Sequence, residues 1–132
     1  MKIENFESEN YNSRAPYTHV KKMDLGSSYL IFVSGVQAPA DENKKVLSDN
    51  VAEQTHQVFK EVEKRLKLAG ATLDNVVKVV IYLTDMDDFA IVSPIRTEYF
   101  KNAKPVSTMV EVNRMTRNGT KIEIEVTALL DK

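Results

Sequence analysis

The stretch Lys104–Leu130, KPVSTMVEVNRMTRNGTKIEIEVTALL, decides how the rest of the chain is read. From Thr120 onward Ile122, Ile124, Val126 and Ala128 alternate with Glu123, Glu125 and Thr127. Side chains two apart share one face of a strand, so this is a half-buried strand with two carboxylates opposite its apolar side. Upstream, 106–112 is β-branched and short-polar, and Arg117-Asn118-Gly119 supplies turn chemistry, Asn-Gly being suited to positive φ. The stretch therefore predicts two strands joined by a turn. By pattern alone a solvated sheet face accounts for Glu123 and Glu125. The functional reading depends on whether Glu123 instead looks into a cleft.

Outward from this stretch, the 132 residues suit one domain, 1–132, with a core that needs no staples. Charge nearly balances, 18 basic against 19 acidic residues, so no surface that tracks phosphates is indicated and no nucleic acid is expected as a partner. With no cysteine, disulfides, thiolate zinc sites and thiol nucleophiles are excluded. The amino terminus is polar, and no apolar run approaches the length of a membrane span, so a soluble, cytoplasmic protein is the expectation.

A possible strand lies at 19–25. Tyr29–Ser34, YLIFVS, is a continuous apolar run that predicts a strand covered on both faces, ended by Gly35. A loop with Pro39 and several charges follows over 36–45. The periodicity predicts a helix over Val51–Ala69, with Val51, Thr55, Val58, Phe59, Val62 and Leu66 on one stripe and Glu53, Gln54, Gln57 and several charges on the other. Asn50 is its candidate N-cap, and Gly70 sits where a left-handed C-terminal cap belongs. Val76–Thr84 reads as a central strand. In 85–100, Asp85, Asp87 and Asp88 suit a helix start. Pro94 predicts a break there, with a second start capped by Ser93. Ile95, Tyr99 and Phe100 would then face the sheet. The order strand, strand, helix, strand, helix, strand, strand gives an α+β sandwich with two helices on one face of a single sheet.

Motifs of catalysis are sparse. His19 and His56 lack metal-ligand spacing, and His56 is most simply a helix-flank residue. The aspartate cluster lacks the glycine and terminal glutamate of a calcium loop. Ser34-Gly35 is not a nucleophile elbow, and no loop that cradles phosphates is present.

Four blocks in order, APYTHV at 15–20, LIFVSGVQAP at 30–39, AEQTHQVF through LAGATLDNVVKVVIYLTDMDDF at 52–89, and KPVSTMVEVNRM with KIEIEV at 104–126, resemble the reactive-intermediate deaminase family (the RidA/YjgF group, also called endoribonuclease L-PSP). The resemblance implies a chorismate-mutase-like α+β fold, a single mixed sheet with two helices on one face. It also implies a homotrimer with a central barrel and small-molecule pockets between subunits. The implied activity is hydrolysis of an imine or enamine to a carbonyl compound and ammonium, without a cofactor. On the matching positions, Tyr17 and Ser34 would line the pocket, Glu123 would position the hydrolytic water, and the backbone carbonyl of Thr108 would hold that water.

The chain also departs from the family pattern. Deaminases of this family carry an arginine that grips the substrate carboxylate, and here that position is Val106. Such a charge-assisted contact is worth roughly 1.5–3 kcal/mol, or about ten- to a hundredfold in binding or rate. Ser93, before Pro94, replaces a common asparagine, and Ala15 a glycine. Three readings stay open: a deaminase or related hydrolase with an altered substrate, or with Arg14, Arg96 or Lys104 as substitute cation; a trimeric binder of a small, partly apolar ligand; or a vestigial pocket on a trimer that contacts another protein. Some relatives are described as nucleases or translation inhibitors; the charge balance here gives that reading no support.

Overall fold

The outermost strand of the sheet, β1 (Ile3–Phe6), pairs with β2 (Val20–Asp24), and β2 in turn with β3 (Ser28–Gln37). The computed structural model describes all residues from Met1 to Lys132. Helix α1 (Val51–Leu68) leads through a 3-10 turn at Leu73–Asn75 into β4 (Val76–Leu83). A second 3-10 turn, Met86–Asp88, runs into α2 (Phe89–Tyr99), followed by β5 (Val106–Glu111) and β6 (Ile122–Asp131). The sheet order is β1-β2-β3-β6-β4-β5. Only β4 and β5 are parallel; parallel neighbours need a crossover, and α2 supplies it. The mixed sheet with two helices is the architecture that the sequence predicts.

The decisive stretch forms its two strands but not a hairpin. β6 inserts between β3 and β4, so β4 separates it from β5. The connecting segment rounds the end of β4, where Val112 N–H donates to the Leu83 carbonyl and Thr84 N–H to the Lys121 carbonyl. Local turn chemistry cannot report this. The long β6, with Ile122, Ile124, Val126 and Ala128 all buried, gains more from the central slot than from the edge. The turn does contain a left-handed residue, Gly119 at φ 86°.

β3 corrects two further expectations. Gly35 does not end it; the strand continues to Gln37, with a register shift between Val33 and Val36. A glycine inside a strand marks such a bulge or a close approach. Nor is the YLIFVS run covered on both faces: Ile31 and Val33 are buried, whereas Phe32 on the opposite face is exposed.

α1 packs its predicted stripe into the core, and its termini are built as expected. The Asn50 side chain accepts from Glu53 N–H, and Gly70 follows at φ 83°. Gln54 departs from the expectation. It is fully buried, donating to the carbonyls of Ser48 and Gly119 at 2.7 and 3.0 Å and accepting from Lys121 N–H at 2.7 Å. A buried amide with those partners costs little, and it ties the 112–121 segment to the helix.

Helix α2 is continuous through Pro94, against the expected break with a Ser93 cap. Proline deprives the carbonyl four residues earlier of a partner. That residue, Ala90, is exposed in the first turn, so the loss of one intrahelical donor is cheap there. Phe100 is buried and Ile95 and Tyr99 pack against the core, but both aromatic rings meet Phe59 of α1 where they were expected to face the sheet. The Tyr99 ring stacks on Phe59 of α1 at 4.3 Å, so this residue joins helix to helix. The exposed His56 on α1 meets the Tyr99 hydroxyl through Nδ1 at 2.9 Å, a flank position.

Candidate active site

Both helices cover one face of the sheet. On the other face the register lines up Gln37, Glu123, Tyr82 and Val110 in one row, Glu125, Val80 and Thr108 in the next, and Phe32, Thr127, Lys78 and Val106 in a third. This face is bare, with Phe32, Val106, Val110 and Leu129 exposed.

Glu123 is half-buried on this face. Its Oε1 accepts from Gln37 Nε2 at 2.7 Å. The same amide donates to Thr116 Oγ1 at 2.8 Å, and Gln37 Oε1 accepts from Arg117 N–H at 2.9 Å. Gly35 makes room for the carboxylate: a Cβ there would lie 2.8 Å from Glu123 Cδ. Glu123 Oε2 has no hydrogen-bond partner within the chain, which leaves an acceptor for a water or a ligand.

Glu125, two residues on, is differently engaged. Its Oε1 accepts from the Tyr82 hydroxyl. That bond to a carboxylate, reinforced by burial, pushes the Tyr82 pKa up to about 12. Each carboxylate thus has one oxygen bonded within the chain; Glu123 is held by a neutral amide donor and Glu125 by a phenol.

Tyr17 and Ser34 lie in an open groove of about 340 Å³, shared with Lys21, Phe32, Glu125 and Thr127. Ser34 is fixed from both ends: its hydroxyl donates to the Thr18 carbonyl at 2.8 Å and its N–H to the His19 carbonyl at 2.9 Å. Tyr17 is 59% exposed, and its carbonyl accepts from the Tyr11 hydroxyl. The Tyr11 ring meets the His19 ring edge-on at 4.9 Å, and His19 Nδ1 accepts from Ser8 N–H at 2.9 Å. Burial, seconded by the Arg65 charge, holds the His19 pKa below its ordinary value, while Glu61 and Glu7 oppose the shift.

The other sequence-predicted residues lie across the sheet. Thr108 and Val106 project from β5 at the far edge, and Val106 is 68% exposed. With strands ~4.8 Å apart and ~3.3 Å per residue along each, Thr108 is roughly 12 Å and Val106 roughly 16 Å from Glu123 along the sheet. Within one chain these residues do not meet at a small ligand. Ser93 accepts from Arg96 Nη2 at 3.0 Å, and Arg96 Nη1 also donates to Ser107 Oγ at 3.3 Å. Arg96 is therefore occupied near the β5 edge. Arg14 is exposed, with only its backbone bonded, to Asn12, and Lys104 is exposed in a turn at φ 47°.

Gln37 was not legible as a site residue. It lies in what the sequence suggests is a loop, and its partners Thr116 and Arg117 are some eighty positions away.

An endoribonuclease L-PSP family model matches residues 8–130. The chain belongs to the endoribonuclease L-PSP family. Among its relatives in the L-PSP family, a RutC family protein of Pyrococcus abyssi is 38% identical over 114 residues, 86% of this chain and 85% of that protein. The chloroplastic Reactive Intermediate Deaminase A of Arabidopsis thaliana is 37% identical over 115 residues, 87% of this chain and 59% of that protein. A crystal structure of a YjgF/YER057c/UK114 family member from Mycobacterium tuberculosis aligns with a TM-score of 0.82 at 28% identity, covering 96% of this chain and 98% of that one. The RidA/YjgF resemblance of the sequence and its fold class are thereby established. No helix of the L-PSP chain is long and apolar enough to cross a membrane.

Proposed function

We propose that the protein is a cofactor-independent hydrolase of small imines or enamines, working as a homotrimer whose pockets lie between subunits. The observation that carries this reading is the Glu123 carboxylate: one oxygen held by Gln37, the other free, on a bare sheet face. In the assembled protein Tyr17, Ser34 and Glu123 of one chain would face Thr108, Val106 and Ser93 of the next, which reconciles their separation within a single chain. The 37% identity to a protein named as a reactive intermediate deaminase supports the same activity. Cytoplasmic placement belongs to the proposal too, although that relative is named as chloroplastic.

In the reaction Glu123 Oε2 accepts a hydrogen bond from water and takes its proton as the water oxygen adds to the imine carbon. With the imine protonated, return of that proton to nitrogen makes an ammonio group. The carbon–nitrogen bond breaks as the new hydroxyl gives its proton to Glu123, which passes it to the departing ammonia, so that a carbonyl compound and ammonium are formed. The Thr108 carbonyl of the neighbouring chain would orient the same water. A group so held has its geometry prepared before substrate arrives.

One observation favours a second reading, a non-catalytic binder of a small ligand: Val106 gives an apolar wall in place of a cation. The formal net charge of −1 does not favour a nucleic-acid partner. Ammonia release from imines freshly generated by an amino-acid oxidase separates the two readings. The wild type should accelerate it and Glu123→Ala should not. Equal rates in both proteins would leave the binder.

A further inference from the structure

Two cross-strand neighbours flank Glu123 on the bare face, Gln37 of β3 and Tyr82 of β4. The Tyr82 hydroxyl is turned to Glu125, so Gln37 alone bonds the Glu123 carboxylate. No ion pair of the chain involves Glu123. A cation in contact holds a carboxylate but also quenches it as a base, whereas a neutral amide orients it and leaves its charge in place.

An amide does this in only one of its two orientations, since in the other its oxygen faces the carboxylate. Here the segment between β5 and β6 enforces the productive one. Gln37 Oε1 accepts from Arg117 N–H at 2.9 Å, and a backbone N–H can only donate, so the amide nitrogen is turned away from Arg117. That nitrogen has two protons and both are used, on Glu123 Oε1 at 2.7 Å and on Thr116 Oγ1 at 2.8 Å. A flip would set N–H against N–H at Arg117 and oxygen against oxygen at Glu123. The segment is itself fixed. The Arg117 guanidinium donates to the Ala38 carbonyl, Thr120 Oγ1 accepts from Ala38 N–H at 2.9 Å, and Gln54 Nε2 of α1 donates to the Gly119 carbonyl at 3.0 Å.

We infer that Gln37 is a positioning residue for Glu123 and that the 112–121 segment sets it. Arg117 N–H and Thr116 lock the amide, the amide holds Oε1, and Oε2 is thereby the oxygen presented to water. Gln37 acts through Glu123 and not on the substrate. The inference rests on the hydrolase reading for its catalytic consequence, while the coupling of segment to carboxylate stands apart from it.

The test takes two readouts on the full chain. In ammonia release from freshly generated imines, Gln37→Met, of similar length but without a donor, should lower kcat roughly ten- to a hundredfold with KM little changed. Gln37→Glu keeps an acceptor for Arg117 N–H but faces Glu123 with a second carboxylate, so it should not restore the rate. Thr116→Val, which removes one partner of the amide, should lower kcat less. In hydrogen exchange followed by NMR, Glu123→Ala should speed the exchange of Arg117 N–H severalfold, because Gln37 loses the anchor that turns its oxygen to the segment. Glu125→Ala should leave that exchange unchanged. An unchanged kcat in Gln37→Met beside an active wild type would overturn the inference, and so would a rise in KM alone. Arg117 exchange indifferent to Glu123→Ala would overturn it whether or not the wild type turns over. Faster exchange in Glu123→Ala, with no ammonia release by the wild type, would sink the hydrolase reading alone.

Discussion

The two faces of the one sheet solve different problems. On the helix-covered face Ile31, Val79, Ile81, Ile122, Ile124 and Val126 are buried, and the Gln54 amide drawn in with them has both its nitrogen and its oxygen bonded. The bare face mixes exposed Phe32, Val110 and Leu129 with Glu123, Glu125 and Tyr82. The first face is complete within the chain and makes the fold. The second is unfinished: its apolar side chains meet water, and Glu123 and Glu125 each keep one oxygen without a partner in the chain. The same strands serve both, because alternation sends every second residue to the opposite side.

Mutations should respond accordingly. Phe59→Ala, which removes a ring packed between Tyr99 and Phe100 on the covered side, should cost about 3–5 kcal/mol in chemical denaturation. By contrast, Phe32→Ser on the bare side should leave the fold intact and shift sedimentation toward smaller species. A large loss of stability without any change in association would break the distinction between the faces. Gly35→Ala comes next. Its new methyl group meets the Glu123 carboxylate, so ammonia release should fall roughly tenfold or more, while the circular dichroism of the chain stays unchanged.

Smaller effects sharpen the contrast. Asn50→Ala removes the α1 cap and should cost about 1 kcal/mol of stability without touching the imine reaction. His19, under the arm that carries Tyr11 and Tyr17, ranks last. Its folded pKa lies below 6.5, so between that lowered value and 6.5 the unfolded chain binds more protons than the folded one. Stability should therefore decline as pH falls through this window. In His19→Asn, which keeps an acceptor for Ser8 N–H but does not titrate, the contribution of this residue to the slope should vanish in denaturation curves recorded against pH.

Much of this was legible in the chain itself. The α1 stripe, its Asn50 cap and the alternation in β6 follow from local periodicity, which reports burial directly. Pairing was less accessible. Asn118-Gly119 announces a turn, but nothing nearby tells that β4 will lie between the two strands. Gly35 and Pro94 misled for a related reason. A bulge and an exposed first turn tolerate what a regular interior does not. YLIFVS read as doubly covered because outward-facing Phe32 is apolar too, although it is exposed. Tyr17, Ser34, Thr108, Val106 and Glu123 came from family resemblance, whereas Gln37 needed coordinates, since its partners lie some eighty positions away in sequence.

The central claim is that one chain's Glu123 works against the next chain's β5. Ammonia release by an equal, refolded mixture of Glu123→Ala and Val106→Glu chains tests it. Each variant alone should be inactive, while in mixed trimers one interface recovers both native halves, restoring roughly a quarter of the wild-type rate. A mixture no more active than its parents, though shown by sedimentation to have exchanged subunits, would contradict the claim.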